Sequence, residues 1–326
     1  MGDAIHVRMY QDEDLPAVLE LLRASLGESP LLQRTPQLFR WKHIDNPFGR
    51  SVILVAEVND TIVGLRAFMR WQLDHGGHLI ECGRAVDTAT HPGYLRRGIF
   101  KRLTMEALEV AHEVGLQLIF NTPNEQSRPG YLKMGWSDVG PIRVLIRPHP
   151  TRLLHARHES FPNLDELAPT ATPIDSDWRP ADDPAYGHSD AESARTGLRT
   201  PRSSPYLKWR FAAHPKARYG AVVSAAGTAV VRPNLRNGRA ELIISDALGA
   251  NPTEAVRAAV RGSKADYDVA AFPPGSPGRR AAQRAGMIAV PGVAALRLVA
   301  RPIEALDIDF LNPRAWRLAL SDVELL

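Results

Sequence analysis

The sequence predicts two α/β units in tandem, each a mixed, mostly antiparallel sheet flanked by helices. Three observations carry this. At 326 residues the chain is long for a single core. Two pairs of stretches also rhyme: LFRWKHIDNPFGRSVILVAEVNDTIVG (Leu38–Gly64) with YLKWRFAAHPKARYGAVVSAAGTAVV (Tyr206–Val231), each with Trp41 or Trp209 ahead of a proline and two apolar strands. Finally, Ile119–Pro148 and Ala270–Pro302 both read strand, loop, short helix ending at a glycine (Gly135, Gly286), turn, and a strand closing on Arg-Pro. The expected domains are 1–150 and 151–326. The boundary falls in 150–205, where Pro162–Ser204 is rich in Pro, Asp, Ser and Ala.

In the first half, Ile5–Met9 reads as a strand and is followed by a helix whose first turn is acidic (Asp12, Glu13, Asp14). Pro36–Ile44 reads as a second helix, then Val52–Val58 and Ile62–Trp71 as strands. RAVDTAT (Arg84–Thr90) is a strand that runs into a loop. A long helix then spans Gly98–Val114, with Ile99, Leu103, Ala107, Val110, Ala111 and Val114 as its apolar stripe. LQLIFNTP is a buried strand, and NEQSRPGYLKMGW a short helix ending at Gly135.

Composition narrows the class. Hydrophobic residues make up 44% of the chain, and no apolar run approaches a membrane span. The first residues lack the basic-then-apolar pattern of a secretory signal, and Cys82 is the only cysteine, so no internal disulfide can form. A cytoplasmic protein with no membrane partner is expected. The net charge of +4 suits a phosphate-bearing ligand. No basic stripe interleaved with aromatics and no zinc spacing occurs, so neither nucleic acid nor metal is expected.

The stretch THPGYLRRGIFKRL (Thr90–Leu103) sets Arg96, Arg97, Lys101 and Arg102 around the start of the long helix. Helix starts expose N–H groups without intrahelical partners at the positive end of the dipole. The amides of Arg96–Lys101 can converge on a phosphate, with Gly98 allowing close approach. The competing reading is a surface helix solvated by its arginines.

HPGYLRRGIF resembles the pyrophosphate loop of the GNAT superfamily of acyl-CoA-dependent N-acetyltransferases, usually Gln/Arg-x-x-Gly-x-Gly/Ala. NEQSRPGYLKMGW is similar to that family's Asn-x-x-Ala/Ser-x-x-x-Tyr-x-x-x-Gly-Phe segment, on Asn124, Ser127, Tyr131, Gly135 and Trp136. The order of elements from Ile5 to Pro148 resembles it too. Leu95 and Phe100 depart from the loop pattern, and the Phe100 ring must point away from the phosphates.

The resemblance implies acetyl-CoA, or another acyl-CoA, in a cleft between the strand ending at Thr90 and the strand Gln117–Asn121. Thr88, Ala89 and Thr90 would pair with pantetheine. Leu95, Arg96, Arg97, Gly98, Ile99, Phe100 and Lys101 would form the pyrophosphate loop, and Asn124 and Ser127 would lie near the CoA arm. It implies direct N-acyl transfer in a ternary complex, most simply acetyl, to a small-molecule amine. A protein lysine acceptor and a non-catalytic acyl-CoA-binding protein are the alternatives, and the oligomeric state is left open.

Within that frame Tyr131 is the candidate acid on the departing thiolate, against a packing role. Asp87, a carboxylate inside a strand, reads as a base, an anchor for the substrate ammonium, or the partner of a cation such as Arg84. Glu81 is a second candidate, water a third. His91 reads as a backbone positioner, and Cys82 has no histidine placed beside it. Trp41 either borders the acceptor pocket or packs its helix on the sheet. Opposite the basic loop the second half offers ISDALGANPTEAVRAAV (Ile244–Val260), without arginine before Arg257. Ala282 stands opposite Tyr131, so this unit is expected to be a degenerate copy. Its tail is expected to dock through Phe310, Leu311, Trp316 and Leu318 and to offer Asp322 or Glu324 to an amine.

Overall fold

A computed structural model describes residues 4–29, 31–154, 157–179, 197–289 and 296–323. The first half contributes β1 (His6–Met9), α1 (Leu15–Leu26), α2 (Pro36–His43), β2 (Val52–Val58), β3 (Thr61–His75) and β4 (His78–Thr90). It continues with α3 (Ile99–Glu113), β5 (Leu118–Asn121), α4 (Arg128–Lys133), β6 (Ser137–Ile142) and β7 (Val144–Pro148). The second half contributes α5 (Pro150–Leu153), α6 (Leu164–Leu167), β8 (Thr172–Pro173), α7 (Ser204–Leu207), β9 (Gly220–Ser224), β10 (Gly227–Arg236) and β11 (Arg239–Leu248). Then come α8 (Thr253–Gly262), β12 (Tyr267–Ala271), α9 (Pro277–Arg284), β13 (Ile288–Ala289), β14 (Leu296–Pro302) and α10 (Leu320–Val323).

The two seven-stranded sheets repeat each other strand for strand. One runs β1-β2-β3-β4-β5-β14-β6, the other β8-β9-β10-β11-β12-β7-β13. The rhyme in the sequence is thus a rhyme in topology, with one twist. The two strands ending in Arg-Pro have changed places: β14 pairs antiparallel with β5 from Val299↔Asn121 to Pro302↔Leu118, and β7 pairs antiparallel with β12. The chain therefore divides into Met1–Leu73, Leu79–Gly140 and Arg297–Leu311 as one unit, and Asp74–His78, Pro141–Leu296 and Asn312–Leu326 as the other. A single cut near residue 150 does not describe this.

In the first unit α1 and α2 cover one sheet face, burying Val18, Leu19, Leu22 and Phe39 on Ile53, Val55, Leu65 and Ala67. The other face carries α3 and α4, with Ile99, Leu103, Ala107, Ala111 and Tyr131 packed on Val52, Leu54, Val63 and Phe68. Of the expected stripe of α3, Ile99, Leu103, Ala107 and Ala111 are buried and Val110 is half-buried, whereas Val114 has left the helix and is exposed. α3 sits close enough to β3 that a Cβ built on Gly64 would lie 2.6 Å from Ile99 Cγ2. In the second unit α8 and α9 pack on β9–β12. Trp316 and Leu318 are buried, whereas Leu311 is exposed. Among the described residues no helix is long and apolar enough to cross a membrane.

Candidate active site

The decisive feature of the first sheet is where its pairing stops. β4 and β5 run parallel, paired through Cys82↔Leu118, Gly83↔Ile119 and Arg84↔Phe120. β4 then continues to Thr90 without β5 beside it. The departure has a local cause at Asp87, a non-glycine residue with φ 44°. Val86, Asp87 and Ala89 all face the α1/α2 layer while Thr88 faces α3 and α4, so the alternation slips by one, as in a bulge.

Asp87 is held there by two cations and a histidine. Arg34 Nη1 lies 3.0 Å from Oδ1, Lys42 Nζ 2.9 Å and His43 Nε2 3.1 Å from Oδ2, and all four side chains are under a tenth exposed. Burial alone would raise the Asp87 carboxyl, but the Lys42 charge, the hydrogen bond from His43 and the Arg34 charge outweigh it and hold the group well below the usual carboxylate range. A carboxylate so stabilised is a poor proton acceptor. The expectation of Asp87 as base is corrected: it pins the strand, and its partners come from α2 and the preceding turn rather than from Arg84.

Beyond Thr90 the chain makes a short turn. His91 Nδ1 accepts from the Gly93 amide at 3.2 Å, the backbone role read for it. Arg96 (φ 64°) and Gly98 (φ 77°) are both left-handed, and no side chain caps the start of α3. A Cβ on Gly98 would meet nothing within 4 Å. The start of α3 thus has no side-chain cap and stands beside Arg96, Arg97 and Lys101, all exposed. Leu95 is 58% exposed and Ile99 is buried under the turn. Phe100 meets Tyr131 edge-on with ring centroids 5.7 Å apart.

Tyr131 stands on α4, buried, and its oxygen accepts from Arg66 Nη1 at 2.8 Å. The same nitrogen donates to Thr88 Oγ1 at 2.7 Å, which ties the tyrosine to the free part of β4. Arg66 escaped the sequence reading. The signal was present, since VGLRAFM places a charge in an apolar strand just as Asp87 does. Asn124 Oδ1 accepts from the Ser127 amide at 2.9 Å and its hydroxyl at 2.8 Å, so this pair starts α4.

Other candidates lie elsewhere. Glu81 accepts from Gln72 Nε2 at 2.6 Å, and Arg70 lies 3.7 Å from it. It precedes Thr88 by roughly 23 Å of extended strand, in the paired part of the sheet. The geometry does not bring it to Tyr131. Trp41 is buried on α2, as Trp209 is in the second unit. Burial pushes the Cys82 thiol up, away from nucleophilic use.

The second sheet opens in the same way, after Ile244↔Ala270. There a cavity of ≈ 330 Å³ is lined by Asp246, Leu248, Phe272, Ser276 and Arg317, among others. Asp322 does not reach out to an amine, because Arg202 grips it at 2.7 and 2.9 Å. Glu324 lies outside the described residues.

Residues 6–139 match the acetyltransferase (GNAT) domain family. Over that stretch the chain is similar to this family. The GNAT-like architecture extends over both units. A GCN5-related N-acetyltransferase from Kribbella flavida superposes with a TM-score of 0.60 at 16% identity, over 92% of this chain and 71% of its own. Another, from Anabaena variabilis, gives 0.60 at 15% identity, over 92% and 73%. At these identities the likeness is one of fold. No curated protein matches the sequence.

Proposed function

We propose that the first unit is an acyl-CoA-dependent N-acyltransferase, acetyl being the simplest acyl group and a small-molecule amine the acceptor. The observation that carries this is the opening of β4 from β5 past Arg84 and Phe120, with the uncapped start of α3 at one end and Tyr131 beside it. The residues suit the cosubstrate: free amides and three basic side chains for a pyrophosphate, an unpaired strand edge for the amides of pantetheine, and a phenol for the sulfur.

Acyl-CoA supplies an acyl group activated as a thioester. On the protein side, the α3 amides with Arg96, Arg97 and Lys101 hold the anionic end. β4 from Thr88 to Thr90 aligns the arm. Tyr131 keeps a proton where sulfur departs. With Asp87 committed to Arg34, Lys42 and His43, the proton lost by the amine passes to water.

Calorimetric titration with acetyl-CoA tests the cosubstrate, with one site per chain expected and loss of binding in Arg96→Glu/Arg97→Glu. Acetylation across a panel of amines tests the reaction. Tyr131→Phe is expected to bind acetyl-CoA as before and lose about a hundredfold or more in kcat, the usual size of acid–base catalysis. Failure of the wild-type chain to bind acetyl-CoA defeats this reading.

A further inference from the structure

Arg66 is a cation without a counter-charge. Its side chain is fully buried, and its Nε and Nη2 have no hydrogen-bond partner. Among the described residues no carboxylate pairs with it. What surrounds it is aromatic: the guanidinium carbon lies 4.6 Å from the Phe68 ring centre, 5.1 Å from Tyr131 and 5.8 Å from Phe100. Ring faces offset part of the cost of a buried charge, and two hydroxyls, Thr88 and Tyr131, take its Nη1. On the opposite face, in the α2 layer, the buried cations Arg34 and Lys42 have Asp87. A lone buried cation is costly unless negative charge arrives beside it.

The tyrosine shows where that charge arrives. An arginine can only donate, so at this contact the Tyr131 oxygen must accept, and its own hydrogen is left to point elsewhere. We propose that Arg66 is a positioning residue for Tyr131, and that guanidinium and phenol together form a site for the CoA thiolate. This rests on the acyl-CoA reading of the cleft.

The balance is simple. As the amine nitrogen bonds to the acyl carbon, the carbon–sulfur bond breaks with its electron pair on sulfur. Sulfur takes the Tyr131 hydroxyl proton. The amine proton goes to solvent, which then returns one to Tyr131. Arg66 neither gives nor takes a proton. Its fixed charge, 2.8 Å away, faces the phenol oxygen while that oxygen is bare, at no reorganisation cost during the reaction.

The test needs no turnover. Free CoA and desulfo-CoA, which lacks only the thiol, are titrated calorimetrically into the whole chain at about pH 6.5 and about pH 9, on either side of ordinary thiol ionisation. The wild-type chain should prefer CoA by about tenfold at the higher pH, the size expected of a charged hydrogen bond, and by less at the lower. Arg66→Gln and Tyr131→Phe should bind both ligands equally, while Arg66→Lys keeps part of the preference. Unchanged desulfo-CoA binding certifies the fold of each variant. Should Arg66→Gln not fold, Arg66→Lys and Tyr131→Phe carry the comparison. Binding of both ligands with no thiol preference, or a preference indifferent to Arg66, overturns the proposal and leaves the acyl-CoA reading standing. Binding of neither defeats both.

Discussion

Lys42 Nζ lies 2.9 Å from Asp87 Oδ2, with 4% and 8% of the two side chains exposed. The pair joins α2 to the irregular residue of β4. Removing one partner of such a pair leaves the other buried and uncompensated, at about 3–5 kcal/mol. Asp87→Asn keeps the shape and removes the charge, so it should lower the unfolding free energy by that order in a denaturant titration. It should also weaken acetyl-CoA binding, as the strand loses its anchor. A variant as stable as wild type but unable to turn over would restore Asp87 as a base.

His43, fully buried, gives this cluster a pH dependence. Burial pushes its pKa below the ordinary 6.5, against the pull of Asp87. The unfolded chain therefore binds a proton near 6.5 that the folded chain resists, and stability falls as the pH falls through that value. The Asp87 contribution, with its folded pKa depressed, is complete above about 3.8 and goes only in stronger acid. Thermal unfolding midpoints should thus decline from pH 7 to pH 5. In His43→Gln, which can still donate to Asp87, the decline over that window should be shallower. An equal slope in both proteins would remove His43 from the account.

Gly64 sets how closely α3 lies on the sheet. An added Cβ would come within 2.6 Å of Ile99 and 2.9 Å of Leu103. Gly64→Ala should cost about 1–3 kcal/mol, as overpacking does. Because Ile99 opens the helix whose amides form the anion seat, acetyl-CoA affinity should fall as well. Unchanged affinity in this variant would mean that the seat tolerates a displaced α3.

A chain ending at residue 150 would lack β14, the neighbour of β5 and β6, and would carry β7 without β12. It should fail to give a cooperative unfolding transition. Residues 1–140 joined through a flexible linker to 297–311 restore the set of segments that cluster together, and should unfold cooperatively. Cooperative unfolding of the 1–150 chain would show that β14 is dispensable.

Much of this was legible in the residues. Gly98 and the apolar stripe fix α3 to within a residue of its ends, and the turn signals separate β2 from β3 at Asn59 and Asp60, both with positive φ. The Arg-Pro strands were legible as strands. A period of two says that a segment is extended but not which sheet accepts it, so their exchange was hidden. The site divides similarly. The loop amides and Tyr131 follow from local spacing, whereas Asp87 and Arg66 are visible only as charges in apolar strands. Their meaning lies in partners far along the chain, Lys42 for one and Tyr131 for the other.

The exchange of β7 and β14 also bears on inheritance. The two units look like copies of one ancestor, and in one of them the position of the phenol is now Ala282 while no arginine guards the start of α8. Ordinary drift could erase such a passenger once it had nothing to catalyse. Here deletion of the second copy would take with it β14, the strand between β5 and β6 of the first. Whatever becomes of the chemistry of that copy, the first unit still needs its strand.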